Sequence, residues 1–143
     1  MIIVPIDGSQ HSHHALDYAV TIALSLKEEL LLLNVQPKND EQSFSESNGM
    51  DRWPEEKLTK GKQQLSEAIS IIEGKIPFET IIRVGIPSIE ITTLAKEQQA
   101  TAIIMGSRGN GPVVSAILGS VSYGVLHLSP CPVTIVPDRK DSL

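Results

Sequence analysis

The sequence is poor in the residues that staple, stack or anchor. Its 143 residues include one cysteine, Cys131, so no intramolecular disulfide is possible. Within Pro130-Cys131-Pro132, ahead of an apolar run, Cys131 reads as a small buried residue rather than a reactive thiol. Aromatic residues make up 3% of the chain, too few for a platform that stacks single-stranded bases. Basic residues are outnumbered, with a net charge of −5, which excludes a non-specific electrostatic hold on nucleic acid. Apolar runs are all far shorter than a membrane-spanning helix. The first residues, Met1-Ile2-Ile3-Val4-Pro5-Ile6-Asp7, lack the basic region and cleavage pattern of a secretory signal. They read as a strand, and the cytoplasm is the expected compartment.

What is present is an ordinary globular balance, 41% apolar and 20% charged, in a length that suits one domain spanning 1–143. Short runs with β-branched residues occur at Ile2 to Ile6, Leu30 to Val35, Thr80 to Val84, Ala102 to Met105 and Val133 to Val136. They are near-continuous rather than alternating, as in strands covered on both faces of a parallel sheet. Stripes at helical spacing lie between them: Ala15, Ala19, Ile22, Ala23 and Leu26; Leu58, Leu65, Ala68, Ile69 and Ile72; Ile89, Leu94 and Ala95; Val121, Val125 and Leu128. Ser9 suits an N-cap, Pro87 a first helical turn and Gly74 a C-terminal stop. The alternation predicts an open α/β domain with a parallel five-stranded sheet, helices on both faces and right-handed crossovers.

One segment breaks the rhythm. Residues 36–53, "QPKNDEQSFSESNGMDRW", are polar and long for a strand-to-helix connection, and are expected to form a mobile loop. It reads either as a surface excursion anchored by Phe44 or Trp53, or as a lid or partner-contact loop.

The chemistry concentrates after the fourth run, in "MGSRGNGPVVSAILGSVS" at residues 105–122. Ligands of open parallel sheets bind beyond the carboxyl ends of the strands. This stretch leaves such an end and reaches a helix starting near Gly119-Ser120. A helix N-terminus offers unpaired N–H groups to an anion, and glycines let phosphate oxygens approach them. Ser120 and Ser122 add hydroxyls, and Arg108 a charged fork. The pattern is neither G-x-x-x-x-G-K-[ST] nor G-x-G-x-x-G, which excludes a P-loop or a dinucleotide fingerprint. Glycines can equally serve the turn alone, and the serines the helix start.

The spacing that does occur, Gly106-x2-Gly109-x9-Gly119-Ser120, resembles the nucleotide-binding signature of the universal stress protein family, in its ATP-binding branch. "VPIDGS", "VGIPSIEI" and "SPCPVTIVP" are similar to other parts of that family's pattern. The resemblance implies strand order 3-2-1-4-5 and a triphosphate held by Gly106, Arg108, Gly109, Gly119, Ser120 and Ser122. It implies Asp7 near the ribose or a phosphate-bound metal ion, for which Mg²⁺ is expected in view of its oxygen ligands. Val35 would meet the adenine through its backbone, Pro5 and Met105 would wall the base or ribose, and Val121 would supply an N–H. It also implies a homodimer in which Val133, Thr134, Ile135 and Val136 pair with the partner's copy. No general base accompanies the loop, so binding with at most slow hydrolysis is expected.

Two other readings stand beside it. One is a dimeric adaptor that binds no nucleotide and works through its surface. The other is a nucleotidyltransferase using His11 and His14 of "HSHH", although His13 stands where an H-x-G-H motif needs glycine. His11 and His14 could also hold a metal ion, but no third ligand is evident; they read most simply as an exposed polar patch at a helix start. His127 reads as a partly buried helix residue.

Overall fold

The computed structural model describes residues 1–38, 55–108 and 118–138. Five strands form one parallel sheet: β1 (Ile2–Pro5), β2 (Leu30–Pro37), β3 (Phe78–Gly85), β4 (Ala102–Gly106) and β5 (Val133–Val136). Their order is β3-β2-β1-β4-β5. Among the described residues, the helices are α1 (Gln10–Leu26), α2 (Glu55–Ile72), α3 (Pro87–Glu97) and α4 (Ser120–Leu128). The expected strand order is the observed one.

Side-chain alternation divides the core in two. Ile2, Val4, Leu30, Leu32 and Ile104 point to one face, where Leu16, Ala19, Ala23, Leu65, Ala68 and Ile72 of α1 and α2 cover them. Ile3, Leu31, Leu33, Ile103 and Met105 point to the other, under Ile91, Leu94 and Ala95 of α3 and Val125 of α4. Because both faces are covered, β1 and β2 carry apolar residues without a polar alternate. Ile2, Ile3, Val4, Leu30, Leu32 and Leu33 are all fully buried. At about 25 cal/mol per Å² of apolar surface, such burial is the main force holding the layers together.

The helix signals act locally. Ser9 caps α1, its side chain accepting from the Ser12 N–H. Pro87 occupies the first turn of α3, where its missing N–H costs nothing. Gly74, just past α2, has φ +82°, a conformation that other residues resist.

Some expectations need correction. Gln36 and Pro37 belong to β2 rather than to a loop, and β3 starts at Phe78 rather than Thr80. Residues 39–53 of the expected mobile loop, with Phe44 and Trp53, lie outside the described residues. Three stripe positions, Leu26, Ile89 and Leu128, are exposed; each lies near a helix end, where the turn lifts away from the sheet. Cys131 is half-buried and packs at the edge of the α3–α4 core. His127 is exposed, not partly buried, with its ring centroid 4.6 Å from that of Tyr123 in an edge-to-face arrangement. No helix among the described residues is long and apolar enough to cross a membrane.

The topology fixes where a ligand can enter. From β1 the chain winds outward through β2 to β3, then returns across β1 to β4. The connections leaving β1 and β4 therefore diverge to opposite faces, opening a crevice beyond their carboxyl ends.

Candidate functional site

A cleft occupies that crevice. Its floor comes from strand ends: Pro5, Ile6 and Asp7 after β1, Leu33 and Val35 on β2, and Met105, Gly106 and Arg108 after β4. Its walls come from helix starts: Ser12 on α1, Pro87 and Ile91 on α3, and Gly119, Ser120, Val121 and Ser122 at α4. Every candidate nucleotide residue that falls among the described residues lines this one cleft. Gly109 lies outside them.

The cleft has two chemically distinct regions. Leu33, Val35, Met105, Pro87 and Ile91 make one apolar. At the other, Gly119 is the N-cap of α4 with backbone φ −64°, ψ 157°, and makes no side-chain capping bond. The first-turn N–H groups at Ser120, Val121 and Ser122 have no intrahelical acceptor, and they carry the positive end of the helix dipole. Arg108 adds its guanidinium.

Two glycines here do different work. A Cβ on Gly106 would sit 2.8 Å from the backbone oxygen of His11, so this residue is bare because α1 crosses β4 closely. Among the described residues, a Cβ on Gly119 would meet Arg108 Cα and the Ser107 oxygen, both at 3.5 Å, an ordinary contact. Neither φ nor packing against the described residues demands glycine at 119.

Asp7 is held by its own turn. Its Oδ1 accepts from the Ser9 N–H at 2.9 Å and from the Ser9 hydroxyl at 2.5 Å, while Gly8 turns the chain with φ +84°. Ser122 is 2% exposed, and its Oγ donates to the Gly106 carbonyl at 2.9 Å. In this conformation its proton pins α4 to β4 and is not offered to a ligand.

Reading the sequence missed several features. Leu33 shares a face with Val35 two residues on, so alternation could have found it. Ser12 and Ile91 are one helical turn from Ser9 and Pro87, which were singled out. Beneath the floor lies a buried amide network that no local pattern signals. Asn34 Nδ2 donates to the Ile6 carbonyl and to Gln64 Oε1, both at 2.9 Å. Gln36 Nε2 donates to Asn34 Oδ1 at 2.7 Å and to Gln64 Oε1 at 2.9 Å. The network ties α2 to the end of β1, immediately before Asp7.

The histidines are not the exposed patch expected of them. The side chains of His11, His13 and His14 are 23%, 15% and 34% exposed. His11 and His14 do face one way, toward Asp138. Among the described residues, no group of three His, Cys, Asp or Glu is placed to hold a metal ion.

The architecture and the cleft define an open, doubly wound α/β domain with a ligand crevice at its topological switch point. Comparison with known proteins makes this specific. Residues 1–137 match the model of the universal stress protein family. Universal stress protein Sll1654 of Synechocystis is 36% identical over 136 residues, which cover 95% of this chain and 84% of that one. The structure of MJ0577 of Methanocaldococcus jannaschii superposes with a TM-score of 0.80 at 29% identity, covering 98% of this chain and 96% of that one. Two further universal stress protein structures share the fold. One, from Archaeoglobus fulgidus in complex with dAMP, has a TM-score of 0.71 at 24% identity; the other, in complex with cAMP, has 0.69 at 23%; in each case 94% of both chains is covered. The chain belongs to the universal stress protein family.

Proposed function

We infer that this universal stress protein binds an adenine nucleotide, ATP, in the cleft and acts as a regulatory binding protein rather than an efficient enzyme. The observation that carries the reading is Gly119. Nothing among the described residues requires glycine there, whereas an anion approaching the N-terminus of α4 is favoured by a bare backbone. Family members with this fold have been solved with dAMP and with cAMP, which supports adenine as the base.

In this reading the base lies against the apolar region, between Val35, Met105 and Pro5, with the backbone of Val35 meeting the adenine edge. The phosphates lie at Gly106, Gly119, Ser120 and Ser122, where the Val121 N–H and Arg108 offset their charge. Gly109 belongs to the same loop in sequence. A single carboxylate beside a phosphate site suits Mg²⁺, which takes one or two carboxylates together with phosphate oxygens. Asp7 is that carboxylate, and the bound ion would screen phosphate charge.

Efficient catalysis is not expected. The Oδ1 of Asp7 accepts from Ser9, and among the described residues no lysine lines the cleft. Nothing there combines a base with a positioned nucleophile.

The protein further acts as a homodimer in the cytoplasm, with the whole of residues 1–143 as its domain. Val133, Thr134, Ile135 and Val136 form an edge strand that is only half-buried in the single chain. Such an edge is stabilised by pairing with a second copy.

The test is calorimetric titration of the purified protein with ATP, ADP and AMP in the presence of Mg²⁺, alongside sedimentation. Saturable ATP binding by a dimer with negligible phosphate release is the expected result. Dimers that take up no nucleotide would favour the adaptor reading. Pyrophosphate release that needs a second substrate, and is lost in His14→Ala, would favour the transferase.

A further inference from the structure

A cluster of charged and titratable groups flanks the cleft and includes Arg108 of its lining. Asp138, two residues past β5, places Oδ2 at 3.6 Å from Arg108 Nη2 and at 3.7 Å from His11 Nδ1. Its Oδ1 is 3.8 Å from His14 Nδ1. The Asp138 side chain is 12% exposed and that of Arg108 16%. Both Nδ1 atoms are buried, and among the described residues neither has a hydrogen-bond partner.

Three groups from two parts of the chain thus converge on the Asp138 carboxylate. A metal ion does not explain them, because the Arg108 cation already faces the oxygen that His11 faces. Proton binding does. Imidazole is the side chain that changes charge between about pH 5 and 8. With both rings neutral, Arg108 and Asp138 cancel and the cluster carries no net charge. With both rings protonated, the cluster carries two positive charges. Each Nδ1–H then has a carboxylate oxygen within reach.

Among the described residues, the other elements packed on α1 do not offset this change. At the end of β1, Asp7 Oδ1 accepts from Ser9. From α2, Glu67 Oε2 lies 3.8 Å from His13 Nδ1, and pairs with that ring instead. The nearby polar groups of β2, Asn34 and Gln36, are uncharged.

We propose that Asp138 is a positioning residue that restrains Arg108, and that protons on His11 and His14 release the restraint. The protonated rings take over the carboxylate, and the guanidinium turns to the phosphates in the cleft. The ligand class favoured is a nucleoside polyphosphate, whose affinity rises on acidification. This rests on the nucleotide reading above. By linkage, the nucleotide must in turn favour proton uptake by the protein.

The test is calorimetry with ATP and Mg²⁺ at about pH 6 and about pH 8 on three proteins: wild type, the His11→Gln/His14→Gln double variant, and Asp138→Asn. Using one ligand throughout cancels its own titration. Wild type is expected to bind at least about fivefold more tightly at the lower pH, relative to the double variant. Asp138→Asn is expected to bind at the higher pH about as tightly as wild type does at the lower. An identical pH dependence in wild type and double variant would overturn the proposal while leaving the nucleotide reading intact. So would Asp138→Asn binding no tighter than wild type at the higher pH. If none of the proteins binds ATP at either pH, the nucleotide reading fails and the proposal with it.

Discussion

The Ser122 hydroxyl donates a 2.9 Å hydrogen bond to the backbone carbonyl of Gly106, fastening the start of α4 to the end of β4. The two elements that frame the anion region are therefore held at a fixed spacing by a buried bond. Ser122→Ala removes this donor from that carbonyl, and should cost about 1 kcal/mol of stability. Urea denaturation measures it. The variant should also bind ATP more weakly, because the helix start is no longer held against the strand.

The two glycines of the site should separate in their effects. Gly106→Ala drives a Cβ into the His11 backbone, at 2.8 Å, and should destabilise the fold by about 1–3 kcal/mol. Gly119→Ala creates only ordinary contacts at 3.5 Å, and should change stability by less than about 1 kcal/mol. Thermal melts of the pair check the contrast. Equal destabilisation would mean that Gly119 is structural after all.

Asn34 is fully buried and serves three partners at once. Asn34→Ala takes one of two acceptors from the Gln36 amide and leaves the Ile6 carbonyl without this donor. The expected loss is about 3 kcal/mol, more than a lone surface hydrogen bond would give, because unsatisfied buried groups keep their full desolvation cost. Chemical denaturation reads the loss. Asp7, next to Ile6, should lose its fixed position as well, so nucleotide affinity should fall in parallel.

Glu97 is one contributor to the acid limb of the stability curve. The Arg83 guanidinium, 2.6 Å from Glu97, holds the Glu97 carboxyl below the usual carboxylate range through its hydrogen bond, against a weaker opposing effect of desolvation. A carboxyl lowered in the folded state stabilises the protein fully above its unfolded value, about 4.3. That contribution disappears as pH falls through the folded value. Arg83→Gln should therefore lower stability slightly near neutral pH and not at all in strong acid. Denaturation curves across this range test the sign. The effect should be small, since the pair is exposed to solvent.

Much of this was legible in the sequence, for identifiable reasons. Residues such as Ile2 to Val4 and Leu30 to Leu33 are buried on both faces, so unbroken apolar runs marked the strands. Ser9 and Pro87 act through local backbone chemistry and were visible where they act. The strand order came from the resemblance, not from periodicity. The cleft residues were legible because positions far apart in the chain belong to strand ends and helix starts, and topology gathers those at one edge. What stayed hidden depends on tertiary contact. Gln36 reads as the first residue of a polar loop, yet it lies in β2, 3% exposed, because Asn34 and Gln64 satisfy its amide. Asp138 sits in an unremarkable tail after β5. Only the folded chain brings it to Arg108, His11 and His14. Exposed apolar residues such as Ile89 and Leu128 misled the stripes because a helix end can carry the period without touching the core.

The central claim is that the bare backbone at Gly119 receives the phosphates of a nucleotide. The most direct measurement is calorimetric titration of wild type and Gly119→Val with ATP and Mg²⁺, with thermal melts run alongside. The account predicts saturable binding by the wild type and at least a roughly tenfold weaker affinity in Gly119→Val, with stability retained to within about 1 kcal/mol. Equal affinity in the two proteins would contradict it.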